Sequence, residues 1–244
     1  QSQAVPEEVV LPAGFNFIDV TYGRMHLCVL ADDGTAFCRG NNQDGRLGDG
    51  TTNWSGNAWQ QVAAPEGVLF TSIEAGPNHT CAMATDASIW CWGWNLEGQI
   101  GTGTATGTES SPVEALVPAG KTWESYTLGQ DHTCAVTTGG EIYCWGRGWE
   151  GQIGDGTYNT TTFPKRVSGT TQVWTKVTAG YQFTCGLDDM GAAWCWGVDY
   201  DGRLGRGMSG WSNVPVAVIG GHVFSDLFAT NRGNVCGLLG DGTL

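Results

Sequence analysis

His132-Thr-Cys-Ala-Val-Thr-Thr-Gly-Gly-Glu-Ile-Tyr-Cys-Trp-Gly146, followed after three residues by Glu150-Gly-Gln-Ile-Gly-Asp-Gly-Thr157, holds two short apolar runs, a Gly-Gly turn between them and a glycine-rich loop behind. The same order of elements recurs along the chain. Cys28, Cys81, Cys134, Cys185 and Cys236 are spaced by 53, 53, 51 and 51 residues. Each of the first four is followed ten residues later by a second cysteine: Cys38, Cys91, Cys144 and Cys195. Self-similarity at a fixed period of about fifty residues marks a repeat architecture.

Each repeat divides into pieces of strand length. One apolar stretch ends just before the first cysteine, as in Trp174-Thr-Lys-Val-Thr-Ala-Gly180, and a second runs through that cysteine. A third runs into the paired cysteine (Glu141-Ile-Tyr-Cys-Trp145), and a fourth is a Pro-x-x-Val element, as in Pro164-Lys-Arg-Val167 and Pro215-Val-Ala-Val218. Gly and Asp cluster between the pieces, where positive φ or side-chain-to-backbone bonds make turns. No segment carries an apolar stripe at i, i+3, i+4, which excludes an α-solenoid. Four short strands per repeat, in tandem, predict an all-β chain: a β-propeller of four-stranded antiparallel blades.

Composition agrees. Gly makes up 39 of 244 residues, about 16% against a usual ~7%, yet 12 Trp, 8 Phe and 6 Tyr argue against disorder. The formal charge is −13, from 11 Lys+Arg against 24 Asp+Glu. Such a surface repels phosphate, so nucleic acid and anionic membrane are not expected partners. No apolar run approaches the roughly 20 residues of a membrane-spanning helix, and no membrane insertion is expected.

Gly76-Pro-Asn-His-Thr80, Gly129-Gln-Asp-His-Thr133, Trp90-Cys-Trp-Gly93, Tyr143-Cys-Trp-Gly146, Gly98-Gln-Ile-Gly-Thr-Gly103 and Gly151-Gln-Ile-Gly-Asp-Gly156 resemble the marks of the regulator of chromosome condensation repeat. The resemblance runs over nearly the whole chain. It implies a propeller, usually of seven blades, in a family that includes a nuclear exchange factor, receptor ectodomains and secreted inhibitor propellers. Fold transfers along such a resemblance far better than function.

The chain reads as one propeller domain or fragment over 1–244, with repeats at about 6–58, 59–111, 112–163 and 164–214 and an incomplete one at 215–244. That is about 4.5–5 blades of the seven the resemblance implies. Pro6-Glu-Glu-Val9 sits 22 residues before Cys28, as Pro112 sits 22 before Cys134, so the chain opens in register. The partner of Cys236 is due two positions beyond Leu244. A longer protein with a cysteine there is expected. A closed five-blade ring, with Pro6–Val9 completing the last sheet, is the alternative.

A ten-residue separation across a turn sets two cysteines opposite each other on a hairpin, where Cβ atoms come close enough for modest adjustment to allow a bridge. The pairs are Cys28–Cys38, Cys81–Cys91, Cys134–Cys144 and Cys185–Cys195; four pairs of buried thiols are the alternative. No zinc-ligand spacing is present. Disulfides in every repeat imply an oxidising compartment, so a secreted or cell-surface protein is expected. Asn53 and Asn159 lie in loops and match glycan acceptor patterns; Asn78 matches too but falls inside the repeat motif.

His26, His79 and His132 recur at one repeat position, where Phe183 and Asn234 stand later. Phe cannot serve catalysis or a metal there, so the imidazoles are read as structural, bonding backbone. Asp44, Glu97, Glu150 and Asp201 precede the turn glycines of the Gly-x-x-Gly loops. They are read as turn residues, with a calcium site at Asp44 and Asp49 as the alternative. Trp92, Trp145 and Trp196 keep repeat register and belong to packing between blades. Trp54, Trp94, Trp149, Tyr158, Tyr200 and Trp211 vary between repeats and form a candidate recognition rim.

No nucleophile elbow, phosphate loop or metalloprotease motif occurs, and no catalytic residues, metal or cofactor are assigned. The function expected is a non-enzymatic extracellular scaffold that recognises a protein partner through blade loops. A matrix or filament subunit built by self-association and a glycan-binding propeller are the alternatives.

Overall fold

The computed structural model describes residues 9–200, 202–230 and 233–244, and among them it contains eighteen strands and no helix. The strands form successive antiparallel sheets in chain order. Sheet 1 is β1 (Phe17–Tyr22), β2 (His26–Ala31), β3 (Ala36–Gly40) and β4 (Gly56–Gln61). Sheet 2 is β5 (Phe70–Ala75), β6 (His79–Ala84), β7 (Ile89–Asn95) and β8 (Gly107–Glu114). Sheet 3 is β9 (Trp123–Leu128), β10 (His132–Thr137), β11 (Ile142–Gly146) and β12 (Thr161–Arg166). Sheet 4 is β13 (Trp174–Ala179), β14 (Phe183–Asp188), β15 (Ala193–Gly197) and β16 (Ser212–Ala217). The fifth sheet pairs β17 (Phe224–Ala229) with β18 (Val235–Leu239). This is a propeller of four-stranded antiparallel blades.

The Pro-x-x-Val element is the outermost strand of the preceding sheet. Pro112, Pro164 and Pro215 lie in β8, β12 and β16, inside the register shift opposite β7, β11 and β15. Proline is tolerated there because an edge strand at a bulge asks no ladder bond of its nitrogen. Repeats counted from this element therefore straddle two sheets. Pro6, Glu7 and Glu8 of its first copy lie outside the described residues, and Val9 lies in no strand.

The innermost strand of each sheet shifts register after its first residue, as between Phe70 and Ser72 and between Trp174 and Lys176. Such a bulge inserts one residue and re-aims its neighbours. In sheets 2 and 4 it sets the leading aromatic on the same side as Ile73 or Val177, and both residues of each pair are buried. Phe70, Trp123 and Trp174 then lie 6.1, 5.8 and 6.1 Å (ring centroids) from Trp92, Trp145 and Trp196 of their own sheets. The core is not one mass but a series of clusters between consecutive sheets. Leu30 of β2, Leu47 of the β3–β4 loop and Val62 just after β4, for example, pack with Phe70, Ile73 and Trp92 of sheet 2.

Cysteines oppose each other directly in the central hairpins: Cys28↔Cys38, Cys81↔Cys91, Cys134↔Cys144 and Cys185↔Cys195. All four pairs are bridged, with Cα–Cα separations of 4.1, 4.1, 4.1 and 4.0 Å. Cys236 in β18 is exposed and unbridged.

Candidate functional site

In an antiparallel sheet the turns after the first and third strands leave from one edge, and all the other connections leave from the opposite edge. The β1–β2 type turns and the long β3–β4 type loops therefore share one face of the propeller. Contacts between sheets confirm it. Arg46 Nη1, in the β3–β4 loop, donates to Pro77 O in the β5–β6 turn at 3.1 Å, and Gln182 Nε2, in the β13–β14 turn, donates to Glu150 Oε1 in the β11–β12 loop at 3.2 Å.

A repeated lock holds that face rigid. Thr80, Thr133 and Thr184 donate their hydroxyls to Arg46 O, Gln99 O and Gln152 O of the preceding sheet's loop at 2.9, 2.8 and 2.9 Å. The same three carbonyls accept the indole N–H of Trp92, Trp145 and Trp196 at 3.0, 2.9 and 2.9 Å. Gly48, Gly101 and Gly154 lie flat against these indoles with φ of +71°, +86° and +76°; an added Cβ would come within 2.7 Å of the ring. The second glycine of Gly-x-x-Gly is thus required by close approach as well as by backbone conformation.

The threonine hydroxyls also bond Nε2 of His26, His79 and His132, at 2.8, 2.8 and 3.0 Å. Each hydroxyl hydrogen is already given to a carbonyl, so the hydroxyl accepts and the imidazole is the neutral Nε2–H tautomer. The histidines therefore bond a side chain of the next sheet, not backbone as the sequence suggested. Their Nδ1 atoms are buried with no hydrogen-bond partner among the described residues. Burial lowers their pKa from 6.5 to about 3, 3 and 4.

The acidic turn residues serve the loops. Asp44 pairs with Arg46. Asp49 Oδ1 accepts from Asn42 Nδ2 at 3.0 Å and from Thr51 N and Oγ1 at 3.0 and 2.9 Å. Glu150 is held by Arg147 and by Gln152 Nε2 at 3.0 Å. Asp201 lies outside the described residues. Among the described residues no three His, Cys, Asp or Glu side chains gather as metal ligands would.

The rim candidates divide. Trp54, Trp149, Tyr158, Tyr200 and Trp211 stand exposed in the β3–β4 type loops, with Trp54 reaching 77% exposure. Tyr200 and Trp211 meet edge to face with centroids 6.3 Å apart, and the Arg147 guanidinium lies 4.7 Å from the Trp149 ring centre. Trp94 differs: it belongs to β7, opposite Thr108, and is half-buried. Asn53 and Asn159 are exposed beside Trp54 and Tyr158, whereas the Asn78 amide is engaged by Asp131 Oδ1 at 2.7 Å.

Sequence reasoning missed the axis. A cavity of about 940 Å³ runs between the inner strands of all five sheets, lined among others by Tyr22, Arg24, Glu74, Thr127, Gln130 and Tyr181. Glu74 could have been noticed. It stands where the other inner strands place Thr21, Thr127, Thr178 and Phe228.

Comparison with known proteins matches two family profiles, both described as the regulator of chromosome condensation (RCC1) repeat. One covers residues 33–83, 86–136 and 139–187, and the other 17–46, 70–99 and 174–203. The ultraviolet-B receptor UVR8 of Arabidopsis thaliana is 27% identical over 195 residues, 80% of this chain and 44% of its own. The probable E3 ubiquitin-protein ligase HERC3 of Homo sapiens is 30% identical over 209 residues, 84% of this chain and 20% of its own. The chain thus spans less than half the length of these relatives. Among solved structures, Prp20p of Saccharomyces cerevisiae superposes with a TM-score of 0.83 at 20% identity, over 96% of this chain and 57% of that one. The ectodomain of the receptor kinase CR4 of Physcomitrella patens gives 0.60 at 21% identity, over 98% and 52%. With three successive copies of the repeat matched, and with the glycines, threonines and tryptophans of each copy building the same lock between blades, the chain belongs to the RCC1 repeat family.

Proposed function

We propose that the protein is a non-enzymatic binding scaffold, secreted or displayed at the cell surface, that recognises a protein partner through the loop face. One observation carries the reading: Trp54, Trp149, Tyr158, Tyr200 and Trp211 are exposed in loops on one face, and the loops of Trp54, Trp149 and Tyr158 are locked at their bases to the neighbouring sheet. Aromatic anchors give large contact area at low entropic cost, and rigid loops lower the ordering cost of binding. The net charge of −13 favours a neutral or basic partner surface. Prp20p, which is similar in fold, binds Gsp1p and histones, and this supports the same reading. The buried bridges support an oxidising compartment, because disulfides persist there and are rare in the cytosol.

Affinity capture from conditioned medium, with wild type beside a Trp54→Ala/Trp149→Ala/Tyr200→Ala variant, tests this reading. These side chains are exposed, so the variant should fold as wild type does. A partner retained by wild type and lost by the variant is the expected result, while equal retention would sink the loop face as the docking surface. Size-exclusion with light scattering separates this outcome from self-association, which would give open, concentration-dependent assemblies.

A further inference from the structure

The fifth residue of each of the first four inner strands lines the axial cavity. In three sheets it is threonine, and its hydroxyl accepts a backbone N–H from the next sheet: Thr21 from Ala75 at 3.0 Å, Thr127 from Ala179 at 3.4 Å and Thr178 from Ala229 at 3.0 Å. In sheet 2 the position is Glu74. Its Oε1 takes the same bond, from Leu128 N at 3.0 Å, and also accepts the Thr127 hydroxyl at 3.3 Å. A hydroxyl is enough for this bond, so the carboxylate brings a charge the ring does not need.

That charge has no ion-pair partner of its own among the described residues. Oε2 of Glu74 meets no donor, and Glu74 makes no ion pair, among the described residues. The ionisable groups it interacts with are Tyr126 from β9 and Lys176 from β13; Asp19 of β1 acts on Tyr126, and Asp226 of β17 pairs with Lys176. The one ammonium among them, on Lys176, is taken by Asp226 and lies 4.8 Å from the Phe228 ring centre. Burial pushes the Glu74 carboxyl up to about 7, as for a carboxylate that lacks a counter-ion. Glu74 nevertheless lines the 940 Å³ axial cavity, whose turn residues Tyr22, Arg24, Gln130 and Tyr181 open on the loop face.

We propose that the axial cavity receives a basic side chain of the protein partner, a lysine ammonium or an arginine guanidinium, with Glu74 as its anion and Tyr22 and Tyr181 as aromatic walls. Tyrosine rings favour such a cation, and a desolvated carboxylate binds a guanidinium by charge-assisted hydrogen bonds. Arg24 lines the same cavity and opposes the incoming charge, which sets the affinity below what Glu74 alone would give. The inference rests on the loop face being the docking face, and it names what that face selects.

The test uses the full chain and the peptide acetyl-Arg-Gly-Arg-amide, titrated by calorimetry or NMR at pH 8 against acetyl-Glu-Gly-Glu-amide. Wild type should bind the basic peptide saturably and not the acidic one. Glu74→Thr, which restores the ring residue of the other sheets and so keeps the fold, should weaken binding at least tenfold. Arg24→Gln should tighten it a few-fold, and lowering the pH from 8 to 6 should weaken it for wild type but not for Glu74→Thr. Equal binding by wild type and Glu74→Thr, or none by wild type, overturns the proposal. Spermidine binding as tightly as the peptide overturns the assignment to a partner's side chain. The rim variant should leave peptide binding unchanged. Equal partner capture by wild type and the rim variant, with peptide binding intact, therefore overturns only the loop-face reading, and absent peptide binding with the expected capture result overturns only the cavity.

Discussion

The interface between sheets 2 and 3 and the interface between sheets 4 and 5 solve one packing problem with opposite chemistry. In the first, His79 of one sheet bonds Thr133 of the next, and Trp145 seals the seam. In the second, Phe183 stands where histidine would and packs with Val235, which stands where threonine would. Both partners change together although they are 52 residues apart in the chain. The reason is the asymmetry of buried polar groups. Replacing both partners by apolar ones is nearly neutral, whereas replacing one strands the other without a bond.

Trp145→Ala would break the comparison most severely, by leaving a void where the indole is now fully buried. A loss of about 3–5 kcal/mol is expected from the truncation, against a change within about 0.5 kcal/mol for the exposed Trp54→Ala. Chemical denaturation of the two variants side by side checks this. Thr133→Val comes next. It leaves the His79 Nε2–H buried and unbonded, which should cost about 1–3 kcal/mol. Adding His79→Phe to it converts the seam to the Phe183/Val235 solution and should recover most of the loss. A double-mutant cycle with purely additive effects would show that the two interfaces are not equivalent.

Acid sharpens the same contrast. The folded pKa values of His26, His79 and His132 lie below the unfolded 6.5, at about 3, 3 and 4. Their stabilising contribution is therefore complete above pH 6.5 and lost as pH falls toward 4, with up to one proton taken up per histidine on unfolding. The His79→Phe/Thr133→Val variant should show a shallower decline of melting temperature between pH 6.5 and 4 than wild type. Glu74 acts with the opposite sign. Its raised pKa makes its contribution complete below pH 4.5 and lost as pH rises through about 7, so Glu74→Thr should gain stability relative to wild type at pH 8.

The smallest effect is expected at Ala87, which has φ of +66° at the hairpin position where Gly34, Gly140, Gly191 and Gly242 stand in the other sheets. A side chain is strained in that conformation, and glycine removes the strain while adding unfolded-state entropy. Ala87→Gly should stabilise by about 0.5–1 kcal/mol, read as a rise in denaturation midpoint at unchanged slope.

Much of this is legible in the sequence itself, because the chain carries its own alignment. Cysteine spacing locates the central hairpins of sheets 1 to 4 and their four bridges, and the repeat register separates Trp92, Trp145 and Trp196 from the loop aromatics. The sequence marks the histidines as structural but points to backbone, where the structure gives them a threonine hydroxyl. Their hydrogen bonds cross to the next sheet, and nothing local to Gly-x-x-His-Thr says that its threonine serves the imidazole of the preceding copy. Trp94 was placed on the rim with the other variable aromatics, although β7 runs two residues further than β11 and β15 and carries it into the ladder.

The sequence alone determined the repeat, the strand pieces, the sulfur pairing and the acidic surface, since each depends on residues close in the chain or on composition. Only the tertiary structure decided which face the loops share, which sheet each threonine answers to, and that Glu74 faces an axial cavity without a counter-ion. Those properties arise where sheets some fifty residues apart converge on one axis, and no local pattern encodes the distance between them.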